Sequence, residues 1–170
     1  MSSSLLAIEK IIQHLVNRND KDRKFFEGVP LSPLYITMGV SHAGIALGKQ
    51  FITLAEAYDA KDLEEVDCAD MTNREIILAS RYAYREYALN THEIYTSKAV
   101  NFKSNSFSIS GMTERAKEAM RIVWWCDIEI KALLEQFKLL GEEDENGNAT
   151  GAVVGGMVEE MQLIDHVLHY

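Results

Sequence analysis

Met71-Thr72-Asn73-Arg74-Glu75-Ile76 decides how this chain is to be read. Thr72 and Glu75 have the three-residue spacing of a capping box, in which hydroxyl and carboxylate satisfy amides at a helix start, and Met71 and Ile76 supply the flanking hydrophobic staple. A long helix, rich in tyrosine, is therefore expected from residue 73 to about Thr96.

Downstream, Val100 to Ile109 alternates apolar and polar positions on both sides of Ser104-Asn105, the pattern of a small β-hairpin. After Gly111 the spacing becomes helical again. Met112, Ala116, Ala119, Met120, Val123, Ile130, Leu133, Leu134 and Phe137 trace one stripe along the longest uninterrupted element. A charged, glycine-containing break at residues 141–148 follows. Ala152 to Tyr170 then resumes an amphipathic pattern with Val154, Met157, Val158, Met161, Ile164 and Leu168.

Upstream, Leu5, Ile8, Ile12, Leu15 and Val16 give a short first helix that ends at the polar stretch Asn17 to Lys24. A linker with Phe25, Phe26, Gly28 and Pro30 leads to Ser32-Pro33, a cap followed by the one helical position where proline loses no hydrogen bond. The second helix is expected to reach about Tyr58. Gly39, Gly44 and Gly48 lie within it, and a close helix contact is the expected reason for them. Residues 59–70 form an acidic, solvated connection.

These elements make a mainly α fold: a bundle of about four helices with one small β-hairpin insertion and a C-terminal helical tail. Residues 1–141 form the domain and 142–170 a Gly/acidic linker with an interaction tail. At 170 residues one core is expected, and 47% hydrophobic with 25% charged residues is ordinary for a globular chain. Seventeen basic against 26 acidic residues, a net charge of −9, oppose a surface built to neutralise nucleic-acid phosphates. The two cysteines, Cys68 and Cys126, offer neither a Cys-x-x-Cys site nor a disulfide framework. No signal-peptide pattern or membrane-length apolar run is present, so a soluble protein made in a cytoplasm, with no membrane partner, is expected.

Catalytic motifs fail on inspection. Gly44 to Gln50 is one residue short of a phosphate-binding loop and lacks its hydroxyl residue. Around Ser41, Ala43 replaces the last glycine of a nucleophile elbow. No Glu-x-x-His occurs, which excludes the usual di-iron bundle pattern, and the helical glutamates read as solvated faces or as ion pairs with Arg74, Arg85, Arg115 and Lys131. His166 and His169 read as polar tips of a terminal helix rather than metal ligands. No catalytic residue, cofactor or metal is assigned. Adjacent Trp124 and Trp125 cannot share one stripe, so one is expected in the core and the other available to a partner.

From Thr72 to Leu140 the order of elements resembles that of the head-tail connector (adaptor) proteins of tailed bacteriophages. The resemblance rests on the tyrosine-rich helix Ile76 to Tyr95, the insertion Ser97 to Ser110 and the helix from Met112. It implies a non-enzymatic virion protein of the neck, assembled in the host bacterial cytoplasm. Such a protein forms a homo-oligomeric ring that joins the portal protein to a tail-side neck or terminator protein and lines the passage for double-stranded DNA without sequence-specific binding. The acidic balance fits such a channel, with Asp62, Glu64, Glu65 and Asp67 as candidate lining residues. Subunit or partner contacts are expected at Phe102, Phe107, Trp124, Trp125, Val154, Met157, Met161, Ile164 and Leu168. The alternatives are a cytoplasmic helical-bundle enzyme or ligand-binding protein, and a regulatory adaptor that binds a partner helix.

Overall fold

A computed structural model of the chain describes residues 3–51, 71–101 and 106–140. Five helices are present among them, and no strand: α1 (Ser3–Asn17), α2 (Asp20–Phe25), α3 (Pro33–Leu47), α4 (Asn73–Asn101) and α5 (Ser106–Leu140).

α4 is the axis of the fold. It packs against α1, α3 and α5, and its residues are buried on several sides at once: Ile76, Ile77, Leu78 and Ala79 in one unbroken run, then Ala83, Tyr84, Tyr87, Ala88 and Tyr95. At its start the Glu75 amide donates to Thr72 Oγ1 (3.3 Å), the expected cap. The Glu75 carboxylate, itself buried, receives Lys49 Nζ at 2.7 Å from the segment after α3. The same signal that starts α4 thus also ties it to its neighbour.

α3 begins as expected, with the Leu34 amide donating to Ser32 Oγ and Pro33 in the first turn. Its end departs from the expectation that it reaches Tyr58. Gly48 adopts φ 68°, a left-handed conformation that glycine takes without a Cβ penalty, and the Lys49 amide closes on the Gly44 carbonyl at 2.8 Å. The helix stops at Leu47. Phe51 folds back over Gly44, where an added Cβ would sit 2.6 Å from the Lys49 carbonyl oxygen. Gly39 has the role expected of these glycines. A Cβ there would lie 2.5 Å from Ala83 Cβ and 2.6 Å from the Ala79 carbonyl oxygen, so α3 and α4 meet nearly backbone to backbone.

The polar stretch after α1 is not merely a break. Asn19 caps a short helix, α2: its side chain accepts from the Asp22 amide (2.8 Å) and donates to the Asp22 carboxylate (2.9 Å). The three-residue spacing matches that of Thr72 and Glu75. The end of α2 and the turn beyond it are core, since Phe25, Phe26 and Val29 are buried. Tyr87 Oη donates to the Val29 carbonyl, and Tyr95 Oη lies 3.1 Å from the carbonyls of Phe25 and Glu27. Phe26 stacks on Tyr87 with ring centroids 4.2 Å apart. The tyrosines of α4 therefore tie down the end of α2 and the irregular turn that follows it.

The β-hairpin is corrected. α4 continues to Asn101 and α5 starts at Ser106, which puts most of Val100–Ile109 in helix and leaves residues 102–105 between the two. A lone two-stranded hairpin is marginal in water, and the described fold offers no sheet to extend it. Short apolar alternation is also compatible with a helix, and here the helical register wins. The acidic segment 59–70 and the proposed tail 142–170 lie outside the described residues.

Candidate docking face and the buried node behind it

α5 has two apolar sides. Ala119, Ile122, Val123, Cys126, Ile130 and Leu133 are buried, while Met120, Trp124 and Ile128 are 42%, 67% and 70% exposed. The exposed three are spaced by four residues, which places them in one slanting row on a helix. Met120, read above as part of the core stripe, belongs instead to this outer row. Together with His92 of α4, Arg121 and the edge of Trp125 they line an open groove of about 770 Å³.

Trp125 forms the inner wall of that groove and shows how the two tryptophans diverge. Its ring lies 4.4 Å from the Arg18 guanidinium and 5.0 Å from that of Arg81, with Tyr84 edge-on at 6.2 Å. Cations over an indole face are attracted by the ring quadrupole, and more strongly when water is excluded. Trp125 is thus held by α1 and α4, whereas Trp124, one residue earlier and turned by about 100°, has its indole largely in solvent.

Behind the groove sits Asp22, fully buried. Its carboxylate receives Arg18 Nε at 2.8 Å and also a guanidinium nitrogen of Arg121, whose Nε bonds Glu118 at 2.8 Å. A buried carboxylate is expensive unless paired and hydrogen-bonded, and here three side chains, those of Arg18, Asn19 and Arg121, meet it. Burial acts to lower the Arg121 pKa, but the Glu118 hydrogen bond and the Asp22 charge outweigh it and hold the guanidinium above its ordinary value. Arg121 therefore stays a fixed cation at the rim of the groove. Sequence reading missed this node because residues 17–24 look uniformly solvated. The signal that could have found it was Asn19 three residues before Asp22.

Other polar features are structural or mixed. Arg85 bridges α4 to Asp127 of α5 at 2.7 Å, and Arg115 covers the Tyr95 ring at 4.1 Å. A second groove of about 450 Å³ between α2 and α5 is lined by Lys21, Lys24 and Arg115 but also by Glu27, Glu114 and Glu118, so no single sign of ligand charge is favoured. Burial pushes the Cys126 thiol up to about 12, which removes it as a nucleophile near neutrality. Among the described residues no group of three His, Cys, Asp or Glu is arranged to hold a metal ion, and no helix is long and apolar enough to cross a membrane.

Of the contact residues expected from sequence, Trp124 and Trp125 lie side by side at this groove. Phe107 lies in the first turn of α5. Phe102, Val154, Met157, Met161, Ile164 and Leu168 fall outside the described residues, as do Asp62, Glu64, Glu65 and Asp67. Compared with known proteins, the chain matches no protein-family model, no curated protein and no solved structure.

Proposed function

We propose that this chain is a non-enzymatic assembly subunit that docks on other chains through the outer face of α5. The observation that carries this reading is the row Met120, Trp124 and Ile128, three large apolar side chains left in solvent on a helix whose opposite side is fully packed. Aromatic anchors in a shallow groove with an arginine at the rim have the composition of interface hot spots.

The specific form of the assembly is the one the connector resemblance implies: a ring between a phage portal and tail, with Asp62, Glu64, Glu65 and Asp67 toward the passing DNA and the protein located in the virion neck. Without the hairpin, that form rests on the order helix, connection, helix. Sedimentation of the purified chain, alone and mixed with a portal ring, tests both levels. Self-association or portal binding that Trp124→Arg abolishes, with the melting temperature unchanged, is the expected result. A strict monomer that ignores the portal would end the ring reading.

A further inference from the structure

Among the described residues, the large apolar side chains left exposed all lie on two helices: Ile45 (76%) on α3, and Met120, Trp124, Ile128 and Leu139 on α5. Those helices flank α4 on opposite sides. α3 meets α4 at Ala79 and Ala83, with His42 Nε2 3.6 Å from the Glu86 carboxylate, whereas α5 meets it at Arg81, Tyr84 and Arg85. Ala79 and Arg81, like Ala83 and Arg85, are two positions apart and so point about 160° away from each other around α4. α3, α4 and α5 therefore form a layer with α4 in the middle, and the sides of α3 and α5 that face away from α4 are its two edges. On α3 that edge is Leu34, Met38, Ser41 and Ile45, which recur at helical spacing and are turned about 100–160° from Gly39, the residue seated on α4. Leu34, Met38 and Ser41 are half-buried there, and Ile45 stands out.

The two edges suit each other in charge. Pro33–Leu47 runs for 15 residues without a lysine, arginine, aspartate or glutamate, and a helix with no charged side is built to be covered. The α5 edge does carry charges, but they are already answered within the chain: Lys117 by Glu114 at 3.1 Å, Arg121 by Glu118 and Asp22, and Asp127 by Arg85. Lys131 has Glu135 one turn further on. A charged partner would have to break pairs already formed, so the row Met120, Trp124 and Ile128 calls for an uncharged apolar surface, and α3 is the one described helix of that kind. Their lengths agree as well, about 12 Å from Met120 to Ile128 and about 17 Å from Leu34 to Ile45.

We propose that the α5 edge of one subunit packs on the α3 edge of a second copy, with Trp124 against the stretch from Met38 to Ile45. This rests on the reading of the α5 face as a docking surface and names its counter-surface. Because the two edges differ, the contact is heterologous. Each subunit makes it twice, once with each edge, and the contact closes into a ring or runs on as a filament rather than stopping at a dimer. One helix pair of this length buries less than the roughly 800 Å² per partner of a standard interface, so an isolated pair of subunits is weak and assembly depends on concentration.

Complementation between two variants tests it. Ile45→Arg removes one edge and Trp124→Arg the other, both at exposed positions where the melting temperature is expected to hold; if either melts early, Ile45→Ser or Trp124→Ser replaces it. At concentrations where the wild type self-associates, sedimentation is expected to find each variant monomeric alone. An equimolar mixture is expected to form a one-to-one pair that grows no further, because the intact α5 edge of Ile45→Arg meets the intact α3 edge of Trp124→Arg. Wild-type self-association in Ile45→Arg, or a mixture that stays monomeric, would overturn the α3 counter-surface while leaving the α5 face standing. A wild type that is monomeric at every concentration would overturn it too, and portal binding lost only in Trp124→Arg would then keep the docking face. Undiminished self-association of Trp124→Arg would instead sink the α5 reading itself.

Discussion

α4 is gripped differently on its two sides. Against α3 the contact is made of small residues, Gly39 on Ala79 and Ala83, with almost no space between backbones. Against α5 it is made of long side chains: Tyr84 on Trp125, Arg81 over the same indole, and Arg85 reaching Asp127. The first contact is closed and admits nothing. The second is made by long side chains on the inner side of α5 and leaves the outer side uncovered, which is where Trp124 is exposed. A helix packed through small residues is fixed by shape, whereas one packed through aromatics and charges can carry a groove at its edge.

The largest effect is expected where space is tightest. Gly39→Leu drives a side chain into the Ala79 carbonyl and Ala83, and overpacking plus backbone displacement should cost about 3 kcal/mol or more. Thermal melting decides it: an unchanged midpoint would show that the α3–α4 contact is not closed.

On the α5 side, Trp125→Ala should cost about 3 kcal/mol by chemical denaturation, because it empties a half-buried site and removes the ring between Arg18 and Arg81. Asp22→Ala leaves Arg18 and Arg121 without their shared carboxylate. Both arginines are partly exposed and can rehydrate, so the loss is expected at about 2 kcal/mol, below that of a fully buried pair. A loss under half that size would mean the node contributes position rather than stability.

The buried groups also set a pH dependence. Cys126 is raised from 9.0 to about 12 and Tyr87 from 10.0 to about 12, both chiefly by burial. The unfolded chain therefore loses these protons first as pH rises. The stability contributed by the protonated forms is complete below pH 9 and is lost as pH climbs through the window from 9 to 12, by at most about 1.4 kcal/mol per pH unit for each group. Urea midpoints at pH 8 and pH 10.5 should show the fall, and Cys126→Ala should flatten its first part.

The smallest stability effect is expected at the neighbouring indole. Trp124→Ala should shift stability by less than about 0.5 kcal/mol, as surface substitutions usually do. A large loss would place Trp124 in the core and erase the contrast between the two tryptophans.

Local signals in the chain were sufficient for local structure. Ser32-Pro33 and Thr72 with Glu75 mark helix starts because a cap is a contact between residues two or three apart, and the aliphatic stripe of α1 marks a buried face for the same reason. That one of Trp124 and Trp125 must face away from the core follows from helical geometry alone. Which of the two does so was decided by Arg18 and Arg81, brought to Trp125 from two other helices. Gly48 as a terminator, rather than one more glycine inside a helix, shows only in the folded backbone, in its φ of 68° and the Lys49 amide closing on the Gly44 carbonyl. The alternating apolar pattern from Val100 to Ile109 was read as a hairpin, but its described ends, up to Asn101 and from Ser106, are helical, and no strand is present among the described residues to pair with it. Asp22 looked like any solvated aspartate until Arg121, 99 positions away, met it in the core. Caps and stripes are written in neighbouring residues, whereas the environment of a charge or an indole is set by chain segments that only folding brings together.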